Sequence, residues 1–164
     1  MSRGFVKEGD QEEVPIVPPR AFLPAGIPNY VTSGGMAALL KEKDDLTNQR
    51  DGSKERVERN YLNAKLSLLE ERILTAKVIG NEQIPEDKVA FGTIVTLILG
   101  ERSKPITVQI TGVDEADITK GKISFVSPLS KGLSGHKAGE SFSINLPNGP
   151  QKIHIISISR VTSV

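Results

Sequence analysis

The chain has 164 residues, with 21 lysines and arginines against 20 aspartates and glutamates, two histidines, and neither cysteine nor tryptophan. That length holds one compact domain or two small ones, and a net charge of +1 excludes a generic polycation for nucleic acid. Without cysteine there is no disulfide, thiolate metal site or thiol nucleophile; two histidines cannot build a three-histidine metal cluster, and 4% aromatic residues are too few for a base-stacking platform. No run approaches the ~20 apolar residues of a membrane span, and the charged start, MSRGFVKEGDQEE, does not read as an export signal. The composition predicts a soluble, cytoplasmic protein with no membrane association, acting by contact rather than by chemistry of its own.

In chain order, residues 1–30 read as a Pro-rich N-terminal extension, with Pro15, Pro18, Pro19, Pro24 and Pro28 ruling out a regular helix or a central strand. Val14, Ile16, Val17, Phe22, Leu23 and Ile27 are interleaved with them. Such a segment either stays a mobile arm or lies extended along another surface, and its large apolar groups favour docking of residues 14–30.

Thr32 or Ser33 supplies an N-cap, and Met36, Leu39, Leu40 and Leu46 follow at helical spacing to about Gln49. Asp51-Gly52-Ser53 interrupts the run with turn chemistry. A second helix is predicted over residues 54–77, where Leu62, Leu66, Leu69, Ile73 and Ala76 recur in steps of four and three, the pattern of a two-helix seam. Val57, Tyr61, Ala64 and Leu68 widen that apolar face. Residues 31–80 therefore form an antiparallel helical hairpin, a short one, since a first helix of about 17 residues reaches only ~25 Å.

Residues 81–87 read as a polar linker, and the period then changes to that of strands. Residues 93–99 are an apolar, β-rich run; Ile106, Val108 and Ile110 alternate with polar residues; residues 122–126 form a short strand; and Phe142, Ile144 and Leu146 alternate before the turn Pro147-Asn148-Gly149-Pro150. In residues 153–158 the apolar spacing slips from Ile153/Ile155 to Ile156/Ile158, which predicts a β-bulge or a strand buried on both faces. Residues 127–134 read as a short helix ended by Gly135 or Gly139. The fold class is α+β, a helical hairpin followed over residues 88–164 by an antiparallel sheet with one short helix.

Several elements of the second half occur together and in order: Val89-Ala90-Phe91-Gly92, Val113-Asp114-Glu115-Ala116-Asp117, Lys122-Ile123-Ser124, Ser127-Pro128-Leu129, Gly135 with Gly139-Glu140, and Leu146-Pro147-Asn148-Gly149. With Ala76-Lys77-Val78-Ile79 at the hairpin exit, they make residues 31–160 resemble the bacterial GreA/GreB transcription elongation factors; the Pro-rich leader lies outside the resemblance. The resemblance implies an FKBP-like C-terminal domain that docks on RNA polymerase at the rim of its secondary channel, through Val126, Ser127, Pro128 and Leu129, while the hairpin enters the channel. It also implies a monomeric accessory factor, not an enzyme, with nucleic acid met only through the transcription complex.

The hairpin tip bears on mechanism. Cleavage-stimulating members of the family present an Asp and a Glu three residues apart, because a second Mg²⁺ in the polymerase active site wants carboxylate oxygens on a rigid probe. Asp51 and Glu55 are the nearest match and the candidate metal ligands, but they are four apart, and between Arg50 and Arg59 four basic residues face three acidic ones. The plainer reading of the pair is a turn residue and a first-turn dipole partner. The first helix is also about two heptads shorter than in those factors, at ~10 Å of reach per heptad. The expectation is a channel-entrance factor without strong cleavage stimulation; the alternatives are an active cleavage factor with a rearranged tip, a coiled-coil adaptor, or an FKBP-like isomerase, for which Phe91, Phe125 and Phe142 are a thin aromatic supply. The mixed runs at 41–45 and 70–72 read as solvated helix faces, residues 114–117 as an acidic loop, and His136 and His154 as lacking a catalytic constellation.

Overall fold

The structure, a computed structural model, describes residues 14–162; the charged segment 1–13, whose composition argues against an export signal, lies outside the described residues, as do residues 163 and 164. Strand β1 (Asn29–Thr32) leads directly into α1 (Ser33–Gly52), and α2 (Arg56–Thr75) runs back into β2 (Ala76–Ile79). Thr32 is the N-cap of α1: its Oγ1 accepts the Gly35 N–H at 2.9 Å, satisfying one of the free donors of the first turn. The predicted seam closes the hairpin, with Leu39 and Leu46 of α1 buried against Leu62, Leu66 and Leu69 of α2, and Val31, Ile73 and Ala76 at its base.

Both helix ends differ from the expectation. The first helix continues through Asp51 and Gly52, and the chain turns extended only at Ser53, whose N–H bonds the Arg50 carbonyl at 3.2 Å. With 20 residues, α1 is ~30 Å long rather than ~25 Å. The second helix stops at Thr75, because Ala76 and Lys77 pair with Asn29 and Tyr30 in a parallel two-stranded sheet. That pairing, between residues far apart in sequence, overrides the helical period that predicted a helix to residue 77.

The remaining strands are β3 (Ile94–Leu99), β4 (Ile106–Thr111), β5 (Lys122–Ser124), β6 (Ser141–Leu146) and β7 (Gly149–Ser159), in the order β5-β4-β3-β7-β6. The sheet is mixed rather than wholly antiparallel: β5 runs parallel to β4. Between them the chain doubles back through a 3₁₀ turn, Ile118–Lys120, capped by Asp117, and Gly121 at φ +68° lets it reverse into β5. Hydrogen bonding from Thr119 holds the Asp117 carboxyl below its ordinary range.

The predicted slip in the last strand is a bulge. Thr96 pairs with Ser157 and Leu97 with Ile155, so Ile156 is skipped and left exposed while Ile153 and Ile155 stay buried. Those two join Val95, Leu97, Val108, Ile110 and Ile144 beneath Leu133 of α3 (Pro128–Leu133) to make the second core. The polar stretch before β3 is not loose, since its Ile84 is buried and lies where a side chain on Gly92 would be. No described helix is long and apolar enough to cross a membrane.

Candidate functional site

At the start of α3, Ser127 is the N-cap and Pro128 occupies the first turn, where a missing N–H costs no hydrogen bond. Ser127 Oγ accepts the Ser130 N–H at 3.2 Å, and Ser130 Oγ in turn donates to the Ser124 carbonyl at 2.7 Å, so the segment is rigidly seated on the end of β5. Leu129 packs against the sheet core and Val126 is half-buried, whereas Pro128 is exposed. Of the four residues expected to form a contact surface, Ser127 and Leu129 thus have internal roles, Val126 is half-buried, and Pro128 is presented to solvent.

At the other end, Asp51 and Glu55 sit on either side of the hairpin turn. Asp51 belongs to the last turn of α1 and its Oδ1 takes the Arg50 Nε–H at 2.9 Å. Glu55 is the exposed N-cap residue of α2 and makes no side-chain capping bond. The nearby Glu58 carboxylate accepts from Ser53 Oγ at 2.5 Å, and Arg59 Nη1 donates to the Ser53 carbonyl at 3.3 Å. The acids of the tip are interleaved with arginines instead of converging. Among the described residues there is no group of three or more His, Asp or Glu that could hold a metal ion.

A third cluster, where the hairpin base meets the sheet, is absent from the sequence reading. Arg20 of the leader donates from Nε to Asp114 Oδ1 at 2.9 Å and from Nη1 and Nη2 to the two oxygens of Glu42 on α1, at 2.9 and 3.0 Å. The hydrogen bonds that Arg20 donates to Glu42, ahead of the opposing effect of burial, raise the Arg20 guanidinium pKa above its ordinary value. Arg72 of α2 reaches the Ala21 carbonyl through Nη2 and approaches Asp114 Oδ2 at 3.7 Å. The next acid, Glu115, accepts from Thr32 Oγ1 at 2.5 Å and from Lys122 Nζ at 3.0 Å. Beside it the rings of Tyr30, Phe91 and Phe125 pack mutually, with centroids 5.5–5.8 Å apart.

These contacts revise several expectations. Asp114 and Glu115 are not merely an acidic loop; they bind the helical unit. In the charged runs, Lys41 pairs with Asp45 and Lys43 with Glu70 as expected of helix surfaces, but Glu42 and Arg72 face the leader and the sheet. Residues 14–28 are irregular chain and strand β1 begins at Asn29. The apolar groups expected to dock the segment are in good part exposed, Val14, Ile16, Phe22 and Ile27 among them, and polar contacts at Arg20 and the Ala21 carbonyl hold it instead. One signal could have found the cluster: Arg20 is the single charged residue between Val14 and Pro28. The two histidines do have partners, His136 with Glu140 at 2.5 Å and His154 with Ser141 at 2.7 Å. The His136 bond holds the Glu140 carboxyl below its ordinary range. Neither histidine forms a serine–histidine–carboxylate set among the described residues.

The profile of the family described as "Transcription elongation factor, GreA/GreB, C-term" matches residues 84–160. Transcription elongation factor GreA of Acidiphilium cryptum (strain JF-5) is 38% identical over 121 residues, covering 74% of this chain and 77% of the relative. The chain belongs to the GreA/GreB family of transcription elongation factors. The GreA of Limosilactobacillus fermentum is 33% identical over 120 residues, covering 73% of this chain and 76% of its own. Among solved structures, the GreA factor homolog 1 (Gfh1) protein of Thermus thermophilus is 21% identical, with a TM-score of 0.39 over 79% of this chain and 97% of that one.

Proposed function

We propose that this GreA/GreB family member binds bacterial RNA polymerase at the rim of the secondary channel and places its short hairpin in the channel entrance without strongly stimulating transcript cleavage. Family membership supports the partner. The state of the tip carries the mechanism: Asp51 is bonded to Arg50, Glu58 to Ser53, and the intervening Glu55 stands on the far side of the turn. On this reading Asp51 is a residue of the last α1 turn and Glu55 a helix N-cap, rather than a ligand pair for a Mg²⁺ shared with the polymerase, and any catalysis belongs to the polymerase. The sheet with α3 is read as the FKBP-like docking domain of the family, but an isomerase reading gains no support, because Phe91 and Phe125 are engaged with Tyr30. The factor acts as a monomer and meets nucleic acid only through the transcription complex.

Val126, Ser127, Pro128 and Leu129 are the proposed docking segment, and the exposed ring of Pro128 is its accessible anchor. The substitution Pro128→Arg puts a charge on that exposed anchor in the first turn of α3, where the N–H it restores needs no intrahelical partner. Its expected result is about tenfold weaker co-purification with polymerase, the loss of ~1.4 kcal/mol that one interface anchor commonly supplies. Circular dichroism should be unchanged. Undiminished binding would reject the docking segment.

A further inference from the structure

The base of the hairpin touches the sheet through β1, the Tyr30–Phe91–Phe125 rings and the Thr32–Glu115 bond, within the first turn of α1 or just before it, and through Arg72 in the last turn of α2, 3.7 Å from Asp114. Contacts gathered at one end of a rod fix a pivot; they resist a change of angle poorly. Glu42 lies nine residues beyond Ser33, about 14 Å up the α1 axis. It is joined to the sheet unit through one side chain, the Arg20 guanidinium, which forks onto Glu42 and reaches Asp114 with its remaining N–H.

We propose that Arg20 is a strut that sets the angle between hairpin and sheet, and that the leader is a releasable strap carrying it. Arg20 holds hairpin and sheet from opposite sides at a lever arm the base contacts lack. Asp114 is nearly enclosed, with a side chain 6% exposed, and its second oxygen has no hydrogen-bond partner among the described residues, Arg72 Nε standing 3.7 Å away. Withdrawing Arg20 leaves that carboxylate buried and under-compensated, a state relieved by moving the loop toward water and away from the hairpin.

The attachment of the strap is correspondingly light. Val14, Ile16 and Phe22 are 85%, 93% and 80% exposed, so the leader is held by polar contacts at Arg20 and at the Ala21 carbonyl more than by burial of its large apolar groups. An attachment of that kind detaches locally without unfolding either core.

The absence of native cysteine makes the test direct. Spin labels on Asn48→Cys in α1 and Lys131→Cys in α3, both exposed sites, report the distance between the two units by pulsed electron resonance. In the labelled full chain, Arg20→Ala should shift the distance by several ångströms or broaden its distribution while far-UV circular dichroism stays the same. Arg20→Lys, which keeps the charge but not the fork, should fall between the two. A distribution for Arg20→Ala that superimposes on that of the parent overturns the proposal. Should Arg20→Ala lose helical signal, Glu42→Gln removes the charge of the hairpin-side acceptor alone and must produce the same broadening; an unchanged distribution there is equally decisive against the strut.

Discussion

Replacing Leu69 with alanine is expected to lower the free energy of unfolding of the hairpin by about 3 kcal/mol. Leu69 is fully buried and stands in the middle of the seam with Leu62 and Leu66 on its own helix and Leu39 and Leu46 opposite. A side chain there loses its transfer energy and leaves a cavity, and two helices joined by a turn have little freedom to collapse around it without breaking register at the parallel β1–β2 pair. The effect should be confined to one unit, because the sheet core around Leu97, Leu133 and Ile155 is a separate cluster. A denaturant titration followed by far-UV circular dichroism should therefore show an early helical transition, with sheet amide protection retained. A single transition at the parent midpoint would mean that the seam does not hold the hairpin together.

Gly112→Ala should act on the joint between the units. A Cβ on Gly112 would lie 2.6 Å from the Tyr30 carbonyl oxygen, closer than side-chain carbons come, with Val31 Cα in ordinary contact behind it at 3.5 Å, and the carbonyl is backbone that cannot rotate away as a side chain would. Strand β1 must then back off from the end of β4, loosening the Tyr30–Phe91–Phe125 rings and the Thr32–Glu115 bond together. The cost is about 2 kcal/mol, in the range of other overpacked sites. It is read as a lower melting temperature and as a changed Tyr30 ring shift by NMR, easily followed in a chain with two tyrosines and no tryptophan. An unchanged melting temperature with an unchanged Tyr30 environment would show that β1 does not bear on β4 as closely as these contacts require.

What could be read in the chain alone was what depends on local period. The leucine seam, the alternation in β4 and β6, the Ser127-Pro128 helix start and even the bulge at Ile156 are written in spacing, and spacing is a property of neighbouring residues. The parallel pairs escaped for the opposite reason. Nothing in Asn29–Thr32 or Ala76–Ile79 marks them as partners, and their pairing joins segments 47 residues apart. The parallel placement of β5 likewise depends on how the loop after β4 is capped and turned by Asp117 and Gly121. The same limit applied to function. The composition of the tip was legible as a mixed-charge turn, and the structure adds which acid meets which base there. The cluster of Arg20, Glu42, Asp114 and Arg72 drew its members from the leader, both helices and a sheet loop. No window of sequence contains it, and only the isolated charge of Arg20 within an uncharged proline-rich stretch hinted that it had a partner elsewhere.

The most direct test of the proposed mechanism is transcript cleavage by backtracked RNA polymerase, measured on one preparation in which co-purification has established that the factor is bound. The expected result is cleavage little above the intrinsic rate of the polymerase at saturating factor, unaltered by Asp51→Ala or Glu55→Ala. Strong stimulation that disappears with either substitution would contradict it, and would make the turn between the two helices a metal-delivering tip after all.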